Sequence, residues 1–396
     1  MPAKLLALEN PKVRVSHRGA QRLKAGHVWV YRSDVLSADG IAPGSLVDVV
    51  DERGRFLGSA FYSSSSQIAI RWLSREPIRQ PDDLLRQRIR DAIAYRERVV
   101  QDTNAYRVVF SEADFLPGLI VDRYQDLLAV EILTQAMDQE SNRRTIVSAL
   151  SDAFRPAGIT ERIEAKIREL EQLPARTSGP LLGEKTSTVF AMNGVKFHYD
   201  ALAGQKTGAF LDQRENYAAG AQYAHGDALD AFCYQGGFAL HLAQRGLKVT
   251  GVDSSRAALE MADRNAELNG CSVEWIEGNA FDLLRDYSAA GHKYDTIVLD
   301  PPAFARSRST VETALRGYKE LNLRAVRMLR PGGVLITCSC SYHVSTTDFL
   351  GVVGEAACDN HRSLRIIENR TQAKDHPILS GVPETAYLKC IIAFAS

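Results

Sequence analysis

Cysteine is scarce in this sequence: six residues in 396, Cys233, Cys271, Cys338, Cys340, Cys358 and Cys390, with no C-x-x-C pair. So few and so scattered, they exclude a disulfide framework and give no zinc signature, so reduced thiols and no metal are expected. No run of about 18 apolar residues is present, which excludes a membrane-spanning helix. The first residues, MPAKLLALENPKVRV, lack an apolar core and a small-residue cleavage site, so a cytoplasmic location and no membrane partner are expected. Neither sign of charge is in excess, with 48 Lys+Arg against 48 Asp+Glu. That balance excludes a globally basic binder that holds nucleic acid by charge alone.

What the sequence does have is the makings of cores: 45% hydrophobic and 24% charged residues, ordinary for globular chains, at a length that predicts two or three domains. Charge is uneven locally. In residues 1 to 33, Lys4, Lys12, Arg14, Arg18, Arg22, Lys24 and Arg32 face only Glu9, with Trp29 and Tyr31 interleaved. A second basic stretch holds Arg306, Arg308, Arg316, Lys319, Arg324, Arg327 and Arg330 against Glu312 and Glu320. Arg14, Arg18, Arg22, Lys24, Trp29, Arg306 and Arg308 are the candidate RNA contacts, a solvated charged face being the plainer reading.

Residues 12 to 74 read as short strands (VRVS, HVWVY, SLVDVVD, FLGSAFY, QIAIRWL) between turns such as ADG and ERG, a small all-β barrel. After Pro77 and Pro81, apolar positions at helical spacing from Leu84 to Val99 behind Asp82 and Asp83 predict an amphipathic helix. Strands joined at LPG and YQD follow over 107 to 134, then a helix near 140 to 153, and a loop is expected over 177 to 188. From residue 226 apolar strand, turn and helix alternate, predicting a doubly wound α/β unit. The expected organisation is a β barrel over 1–76, a central α+β domain over 82–185 and a Rossmann-like domain over 190–396.

Within the last unit, DALDAFCYQGGFALHLA carries a strand ending near Asp230 and a turn at Gly236 and Gly237. It does not fit G-x-G-x-x-G, so hydride transfer is disfavoured. The next strand, LKVTGVD, ends in Asp253, where a carboxylate can accept from both hydroxyls of a ribose; the alternative is a plain helix N-cap. Then KYDTIVLDPPAF places Asp300-Pro301-Pro302 at a strand end, where such sheets bind ligands. These elements in this order are those of methyltransferases that use S-adenosylmethionine. One further strand, GGVLITCSCSYH, ends in Cys338 and Cys340, which alternation puts on one side of the sheet. Buried strand cysteines are ordinarily inert, but this edge lies beside Asp300.

The run FHYDALAGQKTGAFLDQREN (197–216), with DAFCYQGGFALHLA, VDSSRAALEMADRNAELNG, VLDPPAF, RGYKELNLRA and LITCSCS, resembles the bacterial 23S ribosomal RNA cytosine-5 methyltransferases that carry an N-terminal PUA domain. HVWVYRSDV and SSSSQIAIR match the PUA segment and SEADFLPGLIVDRY the central domain, so the resemblance covers nearly the whole chain. It implies a class I methyltransferase fold with S-adenosylmethionine as cofactor. It also implies that Asp230, Phe232, Gly236 and Gly237 line the methionine side, that Asp253 holds ribose, and that Asn279 and Ala280 border adenine. Gln213, Arg214 and Asp300 are implied to lie along the cofactor cleft. By the same resemblance Cys340 is the nucleophile, and the partner is 23S RNA or an assembling large subunit; a homodimer is left open. Asn279 stands where the family commonly has Asp, and Tyr217 where a basic residue is frequent.

The chemistry implied is covalent: a thiolate adds to cytosine C6, C5 gains enamine character, and Asp300 holds the N3 and N4 edge of the ring. Phe304 or Tyr318 is expected to receive an extruded base by stacking. Two other readings stand beside it. One is methylation of an exocyclic amine or of guanine N7, which needs no thiol. The other is an RNA-binding assembly factor with a decayed catalytic domain, against which intact Gly236, Asp253, Asp300 and Cys340 argue.

Overall fold

The computed structural model describes residues 9–202, 209–305 and 307–396. The first sheet is built from β1 (Lys12–Val15), β2 (Trp29–Tyr31), β3 (Val35–Ser37), β4 (Leu46–Val50), β5 (Phe56–Tyr62) and β6 (Ile68–Ser74), in the order β2-β6-β5-β4-β1-β3. Strict alternation builds it: in β1, Val13 and Val15 face the core while Lys12 and Arg14 face solvent. Periodicity missed one element, helix α1 (His17–Lys24), capped by Ser16 Oγ accepting from the Gly19 N–H. It buries only Gly19 and Ala20, and a Cβ on Gly19 would lie 3.1 Å from Val30. Small residues let this helix lie close on the sheet, so no stripe of large apolar residues existed to be read.

Helix α2 (Pro81–Val99) opens on a proline with Asp82 and Asp83 in its first turn and buries Leu85, Ile89 and Ala92, as its pattern predicts. The second sheet has the order β11-β10-β9-β8-β7. Its strands are β7 (Ala105–Phe110), β8 (Leu119–Tyr124), β9 (Leu127–Ile132), β10 (Gly158–Glu161) and β11 (Gly179–Leu182), with helices α3 (Glu140–Phe154) and α4 (Ala165–Leu170). The loop expected over 177 to 188 therefore holds a strand. Pro180 and Gly179 disguise it, and an edge strand tolerates both because its outer side needs no donors. The same stretch also starts β12 (Ser187–Met192), which pairs along its whole length with β13 (Val195–Asp200).

The third sheet contains β14 (Asp227–Ala231), β15 (Lys248–Asp253), β16 (Val273–Glu277), β17 (Tyr294–Leu299), β18 (Leu329–Ser339), β19 (Leu364–Arg370) and β20 (Lys389–Ala395). Its order is β16-β15-β14-β17-β18-β20-β19, with β20 antiparallel to both neighbours. Helices α5 (Arg214–Tyr223), α6 (Gly237–Ala243), α7 (Arg256–Asn269), α8 (Ala280–Ala290), α9 (Val311–Met328) and α10 (Thr346–Asp359) accompany it. Two apolar clusters form, one around Tyr217, Phe238 and Ile336 and one around Leu229, Ile297 and Phe349, as expected of a sheet covered on both faces. Strand order reverses between β14 and β17, so the crevice over their C-terminal ends is where this architecture binds ligands.

The units are joined by buried polar contacts. Between the first and second sheets, Arg71 pairs with Glu112 (3.3 Å) and Glu171 (2.8 Å). Between the second and third sits Asp375, fully buried. One carboxylate oxygen accepts from Arg214 Nη2 (2.9 Å), the other from the Arg107 backbone N–H (2.8 Å), and its carbonyl accepts from Arg96 Nη2 (2.7 Å). Against the upward push of burial, His376 and Arg214 hold this carboxyl well below the ordinary range. The stability it contributes is therefore complete above the unfolded carboxylate pKa of about 4 and is lost as pH falls below it. Asp375→Ala removes the nearer and fully buried of the two carboxylates paired with Arg214, leaving Glu215 at 3.6 Å, and should cost about 3 kcal/mol, read as a lowered urea midpoint; a midpoint within error of wild type would contradict the role.

Candidate active site

Strand β14 delivers Asp230 to the crevice with 1% of its surface exposed. Its Oδ2 accepts from the Ala239 N–H (2.8 Å), while Oδ1 is buried without a protein partner. The turn that follows is strained: Phe232 (φ 71°) and Tyr234 (φ 50°) join Gly236 (φ 87°) in the left-handed region. For non-glycine residues that conformation costs about 1 to 2 kcal/mol each, strain of the kind that persists at functional turns. Gly237 opens α6, and a Cβ there would lie 2.5 Å from the Tyr217 ring. Tyr217, read from the sequence as a departure, is thus the residue that makes glycine obligatory at 237.

Next along the crevice, Asp253 uses one oxygen for the Tyr234 N–H and the other for the Ser255 N–H, each 2.9 Å. The N-cap of α7 is Ser255 and not Asp253, so the plain capping reading fails and Asp253 stays half-exposed at the strand end. Asn279 is exposed and caps α8, its amide oxygen accepting from the Phe281 N–H (2.9 Å). That carbonyl, the atom on which an adenine contact depends, already has one donor. Ala280 is buried beside it.

Asp300 follows β17. Gln213 Nε2 donates to its Oδ1 (2.9 Å), and the Gln213 amide is oriented by Asn216 donating to its oxygen (2.7 Å). Burial first, then the Asp212 charge, push the Asp300 carboxyl up to about 7, with Gln213 opposing. Burial and Asp300 likewise push Asp230 far above its ordinary range. The pocket shared by Asp230, Phe232, Tyr234, Gly237, Phe238 and Asp300 is also lined by Met192 and Phe197 of the β12–β13 hairpin, and no lysine or arginine is among its described lining residues. Arg214 is absent from it, because its guanidinium is drawn to Asp375 and to the Gln101 carbonyl (3.2 Å).

Cys338 lies inside β18, fully buried with Cys390 as its register partner. The strand ends at Ser339, and Cys340 is the half-buried residue just beyond, its Sγ 3.8 Å from the Pro301 carbonyl. Burial, then Asp300 and Asp212, push the Cys340 thiol up to about 12. Ser341 Oγ accepts from the Phe304 and Ala305 N–H groups (3.0 and 3.1 Å), pinning the loop after Pro302 to the strand end. Tyr318 is 1% exposed, packed between Phe304 and Phe349, and so is no receiving surface for a base. Phe304 remains half-exposed.

The basic residues divide. Arg14 on β1, Arg18 and Lys24 on α1 and Arg308 are exposed, although Arg18, like half-buried Arg22, pairs with buried Asp34 (2.8 and 3.7 Å). Arg306 lies outside the described residues. The structure gives Trp29 a different task from the one expected: its indole N–H donates to Glu112 (3.0 Å), tying the first sheet to the second. Asp212, Ser341 and Lys389 were not found from the sequence, and Tyr217 was noted there only as a departure from the family pattern. Only Asp212, inside the LDQR motif, carried a signal that could have flagged it.

A family model described as a PUA-like domain matches residues 13–75, and one described as an S-adenosylmethionine-dependent methyltransferase matches residues 114–393. Proteins named ribosomal RNA large subunit methyltransferase I are similar over almost their whole length. That of Tolumonas auensis is 38% identical over 381 residues, 93% of this chain and 95% of that protein. That of Shewanella denitrificans is 38% identical over 394 residues, 96% of this chain and 98% of that protein. The chain belongs to the ribosomal RNA large subunit methyltransferase I family. Its cofactor is S-adenosylmethionine. The fold of this family member recurs in a SAM-dependent methyltransferase from Streptococcus mutans, with a TM-score of 0.82 at 19% identity over 97% of this chain and 100% of that one. A methyltransferase structure complexed with SAH gives a TM-score of 0.83 at the same identity and coverage.

The residues present fit that cofactor. Its sulfonium and ammonium are cations, and among the described residues the pocket offers two buried carboxyl groups, one with an oxygen that has no partner there, and no lysine or arginine. Gly237→Ala should exclude the cofactor, because the tightest contact is an aromatic ring packed on two sides by Phe238 and His241. Asp253→Ala should weaken cofactor binding by about 1 to 3 kcal/mol, the cost of leaving buried donors unpaired. Calorimetric titration checks both, and wild-type affinity in either variant would remove that residue from the site.

Proposed function

We propose that the protein methylates C5 of a cytosine in 23S ribosomal RNA through a covalent bond between Cys340 and C6. The observation that carries this reading is the placement of Cys340 just past the end of β18, against the Pro301 carbonyl and within the field of Asp300, which itself lines the cofactor pocket. The name its relatives carry supports ribosomal RNA as the substrate, and the PUA-like match supports RNA binding by the N-terminal sheet, with Arg14, Lys24 and Arg308 as exposed contacts. We take that unit as residues 1–76, followed by 82–185 and 190–396, in a cytoplasmic protein.

When bound, the cofactor supplies an electrophilic methyl group. The chain must do the rest. Cytosine C5 is a weak nucleophile until a thiolate adds at C6. Asp300 is the group beside the thiol that can take its proton, and in doing so it loses the charge that holds the thiol up. Carrying that proton, it can deliver it to N3 as sulfur adds, leaving a neutral enamine. After methyl transfer a base must remove the C5 proton, the C–H electron pair reforms the C5–C6 double bond as the C6–S bond breaks, the thiolate is returned and N3 gives up its proton. The amine and guanine N7 readings need no thiol at this place, and Cys340 is what sets them second; the assembly-factor reading leaves the Asp230–Asp300 pocket without a task.

Cys340→Ala should bind cofactor and RNA but abolish turnover, whereas Cys338→Ala, a buried packing position, should keep activity at a stability cost of about 1 kcal/mol. RNA carrying 5-fluorocytosine should trap a covalent adduct with the wild type and none with Cys340→Ala. Turnover by Cys340→Ala near the wild-type rate would sink the covalent reading.

A pH dependence follows with a definite sign. Ionised Asp300 is the form that accepts the thiol proton, so kcat/KM should fall as pH drops through about 7, the free-enzyme value that this ratio reports. Asp300→Asn should abolish that limb along with most of the activity; an unshifted acid limb in the residual activity would assign it to another group.

A further inference from the structure

Strand β20 is apolar and enclosed from Cys390 to Ile392, yet it opens with Lys389, which is only 6% exposed. A buried ammonium is costly unless acceptors and a counter-charge meet it. Lys389 Nζ donates to the carbonyls of Ser341 (2.6 Å) and Tyr387 (2.9 Å), and no ion pair of Lys389 with a carboxylate occurs among the described residues. Neutral carbonyls take two of its protons and its charge is left without a partner. Register places Lys389 opposite Ser339, the residue before Cys340, and the carbonyl it holds belongs to Ser341, the residue after. Lys389 thus meets both neighbours of the residue that presents the thiol, Ser339 through strand register and Ser341 through its ammonium. Burial brings Lys389 down to about 8, the Cys340 charge opposing, and Lys389 in turn lowers the Cys340 thiol.

We infer that Lys389 is a positioning residue for Cys340, whose charge stabilises the thiolate and whose hydrogen bond to the Ser341 carbonyl holds the strand end that aims it. This rests on the covalent reading. In the addition step the thiol proton passes to Asp300, Lys389 keeps all three of its protons, the sulfur electron pair forms the bond to C6, and N3 receives the proton from Asp300. The other groups facing the thiol are Asp300, Asp212 and Tyr318, with Cys338 and Cys390 deeper between β18 and β20. The two carboxylates oppose a thiolate, and Lys389 is the side chain that favours it.

The test uses the full chain and alkylation by iodoacetamide from pH 6 to 10, followed by mass spectrometry at the Cys340 peptide so that exposed Cys358 does not interfere. Lys389→Gln keeps amide donors for the carbonyls and removes the charge. It should slow alkylation of Cys340 about tenfold at fixed pH, equivalent to one pKa unit, and Lys389→Arg should restore most of the wild-type rate. Methyl transfer should fall in the same order through kcat, with cofactor affinity unchanged. A profile for folded Lys389→Gln that superimposes on the wild type overturns the inference. Should that variant not fold, the wild type decides: titration of Lys389 in the same range makes the profile shallower than a single ionisation, and a single-ionisation slope overturns the inference. Turnover by Cys340→Ala would sink the covalent reading while leaving the thiol profile readable, so the two failures are distinguishable.

Discussion

Two buried carboxyl groups with no lysine or arginine beside them among the described lining residues govern this site. Asp230 and Asp300 stand at the ends of neighbouring parallel strands, where the strand order of the third sheet reverses. Both are pushed up by burial and, for Asp230, by its neighbour's charge. Such an arrangement is unfavourable in isolation, and it persists because the surrounding fold fixes it: Ala239 binds one oxygen of Asp230 and Gln213, itself held by Asn216, binds one of Asp300. The deficit of positive charge is a binding specification for a small cation. Arg214, one residue from Gln213, would erase it if it turned inward. Its commitment to Asp375 keeps it out.

That commitment links the pocket to the rest of the molecule. Asp375 gathers Arg214 from α5, Arg107 from β7 and, through its carbonyl, Arg96 from α2. Arg71 and Trp29 tie the first sheet to Glu112 in the same way. Buried ion pairs add less to net stability than their number implies, but removing one partner is severe. They fix geometry where apolar contacts alone would permit sliding. Under the proposed function, reading RNA with the N-terminal sheet and modifying it at β18 requires that fixed distance.

The alternating strands of the first sheet, the amphipathic α2 and the whole doubly wound order after residue 226 were legible in the sequence, because each rests on a periodicity that burial imposes directly. Helix α1 and strand β11 were not: one buries only small residues, and the other hides behind a glycine and a proline that an edge permits. The strand-end residues Asp230, Asp253, Asp300 and Cys340 were legible because strands end at turns that sequence marks. Partners that arrive from elsewhere in the chain were illegible. Tyr217 and Gly237 are 20 positions apart in sequence and in contact in space, and nothing in YLKC shows that its lysine ends beside a cysteine 49 residues earlier. The same blindness explains Trp29 and Arg214, whose residue types suit a ligand but whose tertiary partners claim them first.

A thiol held near 12 looks ill-suited to a nucleophile, since only about one in 10⁵ of such groups is ionised at pH 7. Beside a methyl donor the property has a use. A standing thiolate within reach of an electrophilic methyl would itself be alkylated, whereas a protonated thiol reacts slowly. Burial and the Asp300 charge keep Cys340 in that protonated form, and the proton that frees it is accepted by the group that suppresses it. One transfer both creates the thiolate and removes the nearest negative charge opposing it, which under the proposed mechanism confines strong nucleophilicity to the moment when a base edge is present to take the proton onward from Asp300. On this argument a substitution that lowers the resting thiol pKa, such as Asp300→Asn, should not speed the enzyme; with cofactor bound and RNA absent it should instead raise slow methylation of Cys340 itself, detectable as a 14 Da gain on that peptide, and no gain over wild type would refute the protective role of the carboxylate.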